Sequence, residues 1–170
     1  KVYEFEKCEE YVEKALMIQE SFAFAYVLRS RASKRGSSRE AELAPLKQAV
    51  EHESDYIKKV ILYDQISDIQ LQSGEYENCL KTINESLKIK NDDPEALYQK
   101  SVALYKMGNY EASIKACEDL LKKTSSGKVQ ADLYFLIGLA AKQGKDYEKS
   151  NRAFYRAFQS SHKFAAEIES

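Results

Sequence analysis

The chain has 170 residues, enough for one ordinary domain, and its 26 Lys+Arg against 27 Asp+Glu leave a formal charge of −1, which supplies no net electrostatic pull toward nucleic acid or an anionic membrane. Hydrophobic residues make up 44%, with two Pro and six Gly, a composition that argues against a long disordered linker and suits a helical chain. No stretch is apolar for the length a bilayer requires, and the first residues lack the basic-then-apolar order of a signal peptide.

Taken in order, residues 2–19 place Phe5, Cys8, Val12, Ala15 and Leu16 at three- and four-residue steps, one apolar face of a helix. Glu20-Ser21-Phe22-Ala23 is a short joint, and Ala25–Ala32 a second helix. After a turn over 34–39, the next helix contains Pro45. A proline is costly in a helix interior and welcome in the first turn, so this helix starts either near Ala44 or near Ser38 with a kink. Ala41, Glu42 and Leu43 continue the pattern into Leu46, Ala49 and Val50 and favour the kink.

From residue 58 the pattern becomes regular. Val60, Tyr63, Ile66 and Ile69 predict one helix and Cys79, Leu80, Ile83 and Leu87 another, closed by Asn91-Asp92-Asp93-Pro94. Asp93 can cap the following helix and Pro94 suits its first position. Leu97, Ser101 and Leu104 carry that helix, and Ser113, Ile114, Cys117 and Leu120 its successor, which the helix-ending glycine of Thr124-Ser125-Ser126-Gly127 is expected to stop. Tyr134, Ile137, Gly138 and Ala141 and then Ser150, Phe154, Ala157 and Phe158 predict the last pair around the turn Gly144-Lys145-Asp146-Tyr147, and His162-Lys163-Phe164-Ala165 echoes the joint at 20–23.

The frame Gly74-Glu75-Tyr76-Glu77-Asn78-Cys79-Leu80-Lys81 returns as Gly108-Asn109-Tyr110-Glu111-Ala112-Ser113-Ile114-Lys115, 34 residues later. A period of this length carrying helix, turn and helix resembles the tetratricopeptide repeat. The resemblance implies an all-α fold, a right-handed α-solenoid of stacked helix pairs, in one array over 1–170: a second helix of an incomplete repeat (1–20), an irregular repeat (22–54), three further repeats (58–93, 94–127 and 130–161), and the start of another repeat or a cap (162–170). It also gives Cys8, Cys79, Ser113 and Ser150 one shared slot, the small residue at the closest helix contact, where a thiol acts as a compact hydrophobe.

In that family the first helices line a concave wall that holds a peptide or a partner protein. Carried over, the resemblance nominates Phe24, Arg31, Lys34 and Arg35 with Val27 and Leu28; then Asp64, Gln65, Asp68 and Gln72; then Tyr98, Gln99, Val102, Tyr105 and Lys106; and Phe135 and Lys142 with Leu136, Leu139 and Gln143. It disfavours one partner. The family's clamp for the C-terminal carboxylate of a heat-shock protein is basic and amide-rich, whereas the matching positions here are Asp64, Asp68, Gln99, Asp132 and Leu136, and carboxylates cannot grip a carboxylate.

The residues argue against an enzyme. His52 and His162 are the only histidines, and no nucleophile elbow, phosphate-cradling glycine loop or Cys-x-x-Cys is present. No catalytic residue, metal, cofactor or small-molecule substrate is therefore expected, and three scattered cysteines suit a reducing compartment, the cytoplasm or nucleus. The expected function is a protein-interaction scaffold within a larger assembly. The alternatives are self-association through the open ends of the array and, prompted by Arg29, Arg31, Lys34, Arg35 and Arg39, RNA binding, which the neutral overall charge disfavours.

Overall fold

The computed structural model describes the backbone over residues 2–19, 23–33 and 38–169 and the side chains over 7–19, 23–32 and 38–161. The described residues form helices joined by short turns, in two compact units, Lys1–Asn91 and Asp92–Ser170. The first unit contains α1 (Val2–Ile18), α2 (Ala23–Ser33), α3 (Arg39–His52), α4 (Tyr56–Gln72) and α5 (Tyr76–Ile89); the second contains α6 (Pro94–Lys106), α7 (Tyr110–Leu121), α8 (Gly127–Gln143) and α9 (Tyr147–Glu169). No described helix is long and apolar enough to cross a membrane.

In the first unit Tyr26 of α2, Leu43, Leu46 and Ala49 of α3, and Leu62, Ile66 and Ile69 of α4 share one core, with Leu16 of α1 packed against it. α3 is continuous from Arg39. The Ser38 side chain caps it, accepting from Ala41 N, and Pro45 lies inside it and buried, so the helix does not wait for the proline to begin. In the second unit Cys117 and Leu120 of α7, Leu133, Leu136 and Ile137 of α8 and Ala153 of α9 form the core, against which Leu97, Tyr98, Val102 and Tyr105 of α6 pack.

Three of the turns share one hydrogen-bond scheme. Glu75 N donates to Gln70 O and Gly74 N to Leu71 O; Asn109 N donates to Leu104 O and Gly108 N to Tyr105 O; Asp146 N donates to Ala141 O and Lys145 N to Lys142 O. These nested bonds satisfy the last carbonyls of α4, α6 and α8 and require one left-handed residue just past each helix. That residue is Gly74 (φ 79°), Gly108 (φ 79°) and Lys145 (φ 65°). In the third turn the glycine therefore sits one place too early. Gly144 keeps an ordinary φ of −75°, and the lysine takes the conformation that glycine adopts without a steric cost.

Each of these pairs is also fastened at the small-residue slot. Cys79 Sγ donates to Ser67 O (3.3 Å), Ser113 Oγ to Ser101 O (2.8 Å) and Ser150 Oγ to Gly138 O (2.9 Å). All three donors are buried. The shared slot expected from the sequence is thus a shared hydrogen bond from second helix to first, in which Cys79 replaces serine at the length normal for sulfur.

Two boundaries differ from expectation. Gly127 does not end a helix; it is the first residue of α8, so that helix begins a turn earlier than residue 130. The joint expected at His162 is absent, and α9 runs unbroken from Tyr147 to Glu169. Asp93 caps α6 as expected, accepting from Ala96 N with Pro94 in the first turn.

Candidate functional site

The exposed sides of the first helices are built differently in the two units. On α4, Ile57 and Ile61 are exposed by 57% and 50%, four residues apart and in line with Gln65 on the same helical face. Asp64 and Gln65 are half-buried, while Asp68 and Gln72 are exposed, with Gln72 Nε2 donating to Asp68 Oδ2 at 2.7 Å. This face is apolar at its start and acidic at its end. On α2, Phe24 and Arg31 are exposed and Val27 and Leu28 half-buried, whereas Lys34 and Arg35 lie outside the described residues. Arg29 is turned to α1, where its guanidinium pairs with Glu9 and Glu13.

In the second unit α6 and α8 carry the aromatic positions. Tyr98 and Val102 are half-buried against the core. Burial raises the Tyr98 phenol pKa above its ordinary value, assisted by the charge of Asp132 on α8, so the hydroxyl stays protonated and available as a donor. Tyr105, also half-buried, lies with its ring 5.8 Å from that of Tyr110. Gln99 is 5% exposed, and its Nε2 donates to Glu95 Oε1 at 3.2 Å. Lys106 and Lys142 are exposed.

Phe135 of α8 is 53% exposed yet held in place, its ring tilted against that of Phe154 at 5.6 Å between centroids. Phe135 on α8 and Tyr98 and Tyr105 on α6 are partly open aromatic rings, and Lys106 and Lys142 are exposed cations on the same two helices. Leu136 is core and Leu139 half-buried.

Ile57 and Ile61 are missing from the sequence-based face. The signal was present, since both lie at four-residue steps before Gln65, but apolar residues at a helix start are read first as core.

Among the described residues no three of His, Cys, Asp and Glu gather where they could hold a metal. His52 stacks on Tyr26 at 5.4 Å, its ring nearly parallel. The Cys79 and Cys117 thiols are pushed up to about 11, chiefly by burial, which keeps them protonated and poorly nucleophilic near neutral pH.

The tetratricopeptide-repeat family model matches residues 60–93 and 94–122. Tetratricopeptide repeat protein 1 of Schizosaccharomyces pombe is 30% identical over 82 residues, which is 48% of this chain and 8% of that protein. Among solved structures, MamA superposes with a TM-score of 0.79 at 15% identity, over 96% of this chain and 86% of that one. MamA from Desulfovibrio magneticus RS-1 gives 0.69 at 24% identity, over 81% and 75%. YrrB, described as a TPR protein with an unusual peptide-binding site, gives 0.75 at 16% identity, over 99% and 84%. The fold is the all-α solenoid of these proteins.

Proposed function

The chain carries tetratricopeptide repeats, and on that premise we propose that it is a non-enzymatic scaffold whose first-helix faces hold a peptide or a segment of a partner protein within a larger assembly. The observation that carries this reading is Phe135, half exposed to solvent and braced by Phe154. A large ring kept in the open by packing beneath it loses little side-chain freedom when a ligand covers it. In the second unit Tyr98, Val102 and Tyr105 of α6 and Phe135 and Lys142 of α8 form the contact face; in the first unit, Ile57, Ile61 and Asp68 of α4 form a separate one. That YrrB is described as having a peptide-binding site agrees with this use of the fold. Free cysteines whose thiols are buried and protonated suit a cytoplasmic or nuclear setting.

The test is comparative capture. The chain and its Phe135→Ala variant are used as bait in cells that express the protein, with circular dichroism to verify that both fold. A partner retained by the parent and lost from the variant supports the reading; identical partner sets would refute it.

A second reading rests on one feature of the first unit. An apolar cleft of about 410 Å3 lies between α1 and α2, lined by Cys8, Tyr11, Val12, Ala15, Ala25 and Leu28 with Lys7 at its edge. Self-association through this cleft predicts a mass that grows with concentration in light scattering and returns to monomer in Tyr11→Asp, a substitution at an exposed residue of the lining; a strict monomer at all concentrations removes it.

A further inference from the structure

A different surface of the second unit has its own chemistry. Between α7, α8 and α9 lies a cleft of about 410 Å3, and Lys149, Arg152 and Arg156 of α9 stand along it. Their spacing of three and four residues puts them on one helical face. Leu121, Ile137 and Ala153 line the cleft with them and supply its apolar floor. The ring of Tyr134 joins this lining, and the Arg156 guanidinium lies over it at 5.7 Å from the centroid, an arrangement in which the ring attracts the cation and fixes its plane.

The acids nearby do not cancel this charge. Glu118 is the carboxylate of the lining, and its Oε1 pairs with Lys149 Nζ at 2.9 Å. Three cations against Glu118 and, outside the lining, Glu148 leave an excess of one positive charge (3 − 2) in a chain whose net charge is −1. Glu148 lies 3.7 Å from Arg152, with both side chains largely in solvent (83% and 69% exposed), where such a pair is worth little and yields readily to a competitor.

We propose that this cleft binds an acidic linear segment of another protein, with one apolar side chain on the floor and flanking Asp or Glu carboxylates on Arg152 and Arg156. Guanidinium groups grip carboxylates through paired hydrogen bonds, and the floor gives a peptide something that a bare polyanion lacks. Glu118 acts as an internal competitor, occupying Lys149 until the ligand's own carboxylate arrives. The site is separate from the first-helix face, so either can fail without the other.

The probe is a fluorescently labelled hexapeptide, Asp-Glu-Phe-Asp-Leu-Glu, titrated against the whole chain by anisotropy at low and high salt. The expected results are saturable binding that weakens as salt rises, a loss of at least about tenfold in Arg152→Glu/Arg156→Glu, and a gain of about threefold in Glu118→Gln, which frees Lys149. Lys81→Glu, an exposed lysine on α5, should leave affinity within about twofold. All four positions are exposed, and circular dichroism checks that each variant folds. A peptide with Asn and Gln in place of the acids should not bind, and one with Ser in place of Phe and Leu should bind at least about tenfold more weakly. The proposal is overturned if the parent chain does not bind, if Glu118→Gln binds more weakly, if Lys81→Glu loses as much as the double reversal, or if the peptide lacking its apolar residues binds equally well. The last outcome would mark a general polyanion surface.

Discussion

The α4–α5 and α8–α9 pairs perform the same packing task with different side chains, and the differences compensate one another. In the first pair Ser67 faces Cys79, with Ile83 one turn further along; in the second Gly138 faces Ser150, with Phe154 in the place of Ile83. A Cβ built on Gly138 would fall 2.5 Å from the Phe154 ring, a separation that real contacts do not allow. The glycine is therefore required by the phenylalanine. Where the facing residue is the smaller Ile83, the first helix carries serine without conflict. Volume is traded across the interface while the hydrogen bond from second helix to first is kept, and α6–α7 repeats the scheme with Ser101, Ser113 and Cys117.

The sharpest way to break the comparison is to move one half of it. Gly138→Ser, which imitates Ser67, should cost about 3 kcal/mol in denaturant unfolding, because overpacking a filled site strains both helices. Adding Phe154→Ile, which imitates Ile83, should recover most of that loss, giving a coupling of about 2 kcal/mol in the double-mutant cycle. Strict additivity of the two substitutions would show that the trade is not what fixes the residues.

The turns give the next effect. Gly108→Ala at φ 79° should cost about 1 kcal/mol, the penalty of a side chain in the left-handed region. The third turn predicts the opposite sign. Lys145→Gly should stabilise by about 0.5 kcal/mol, since relief of the strained lysine is partly offset by the greater freedom of glycine in the unfolded chain. Loss of stability in Lys145→Gly would contradict the register assigned to this turn.

The smallest effect lies in the thiols. Burial raises the Cys79 and Cys117 thiols from the ordinary cysteine value to about 11. The folded state thus holds protons that the unfolded state has released, so this stabilisation is complete below about pH 9 and is lost as pH climbs toward 11. Cys79→Ser/Cys117→Ala should flatten the alkaline fall of the denaturant midpoint over that window. Cys79→Ser alone should be nearly neutral at pH 7, because serine makes the same bond at 113 and 150.

The two units also differ in how much of each was legible in the sequence. The helix pairs around Gly74 and Gly108 declare themselves because glycine, tyrosine and the small slot all recur at one spacing. The third turn misleads by one residue, since Gly144 draws the eye while Lys145 adopts the left-handed conformation, and only the backbone bonds reveal the shift. Gly127 reads as a stop and is a start, because glycine is permissive at either end of a helix and its φ is not written in the sequence. On the candidate faces, Phe135, nominated by the family resemblance, is exposed. The burial of Gln99 was not legible, because it depends on how α6 packs, and the exposure of Ile57 and Ile61 depends on which side of α4 meets the core.

Site-directed photo-crosslinking tests the central claim most directly. A benzophenone side chain placed in turn at Ile61, Phe135 and, as a control, the exposed Lys81 of the second helix α5 is activated in cells that express the protein. The account predicts that a partner is captured from Ile61 or Phe135 and not from Lys81. Capture from Lys81 alone would place recognition on the second helices and contradict it.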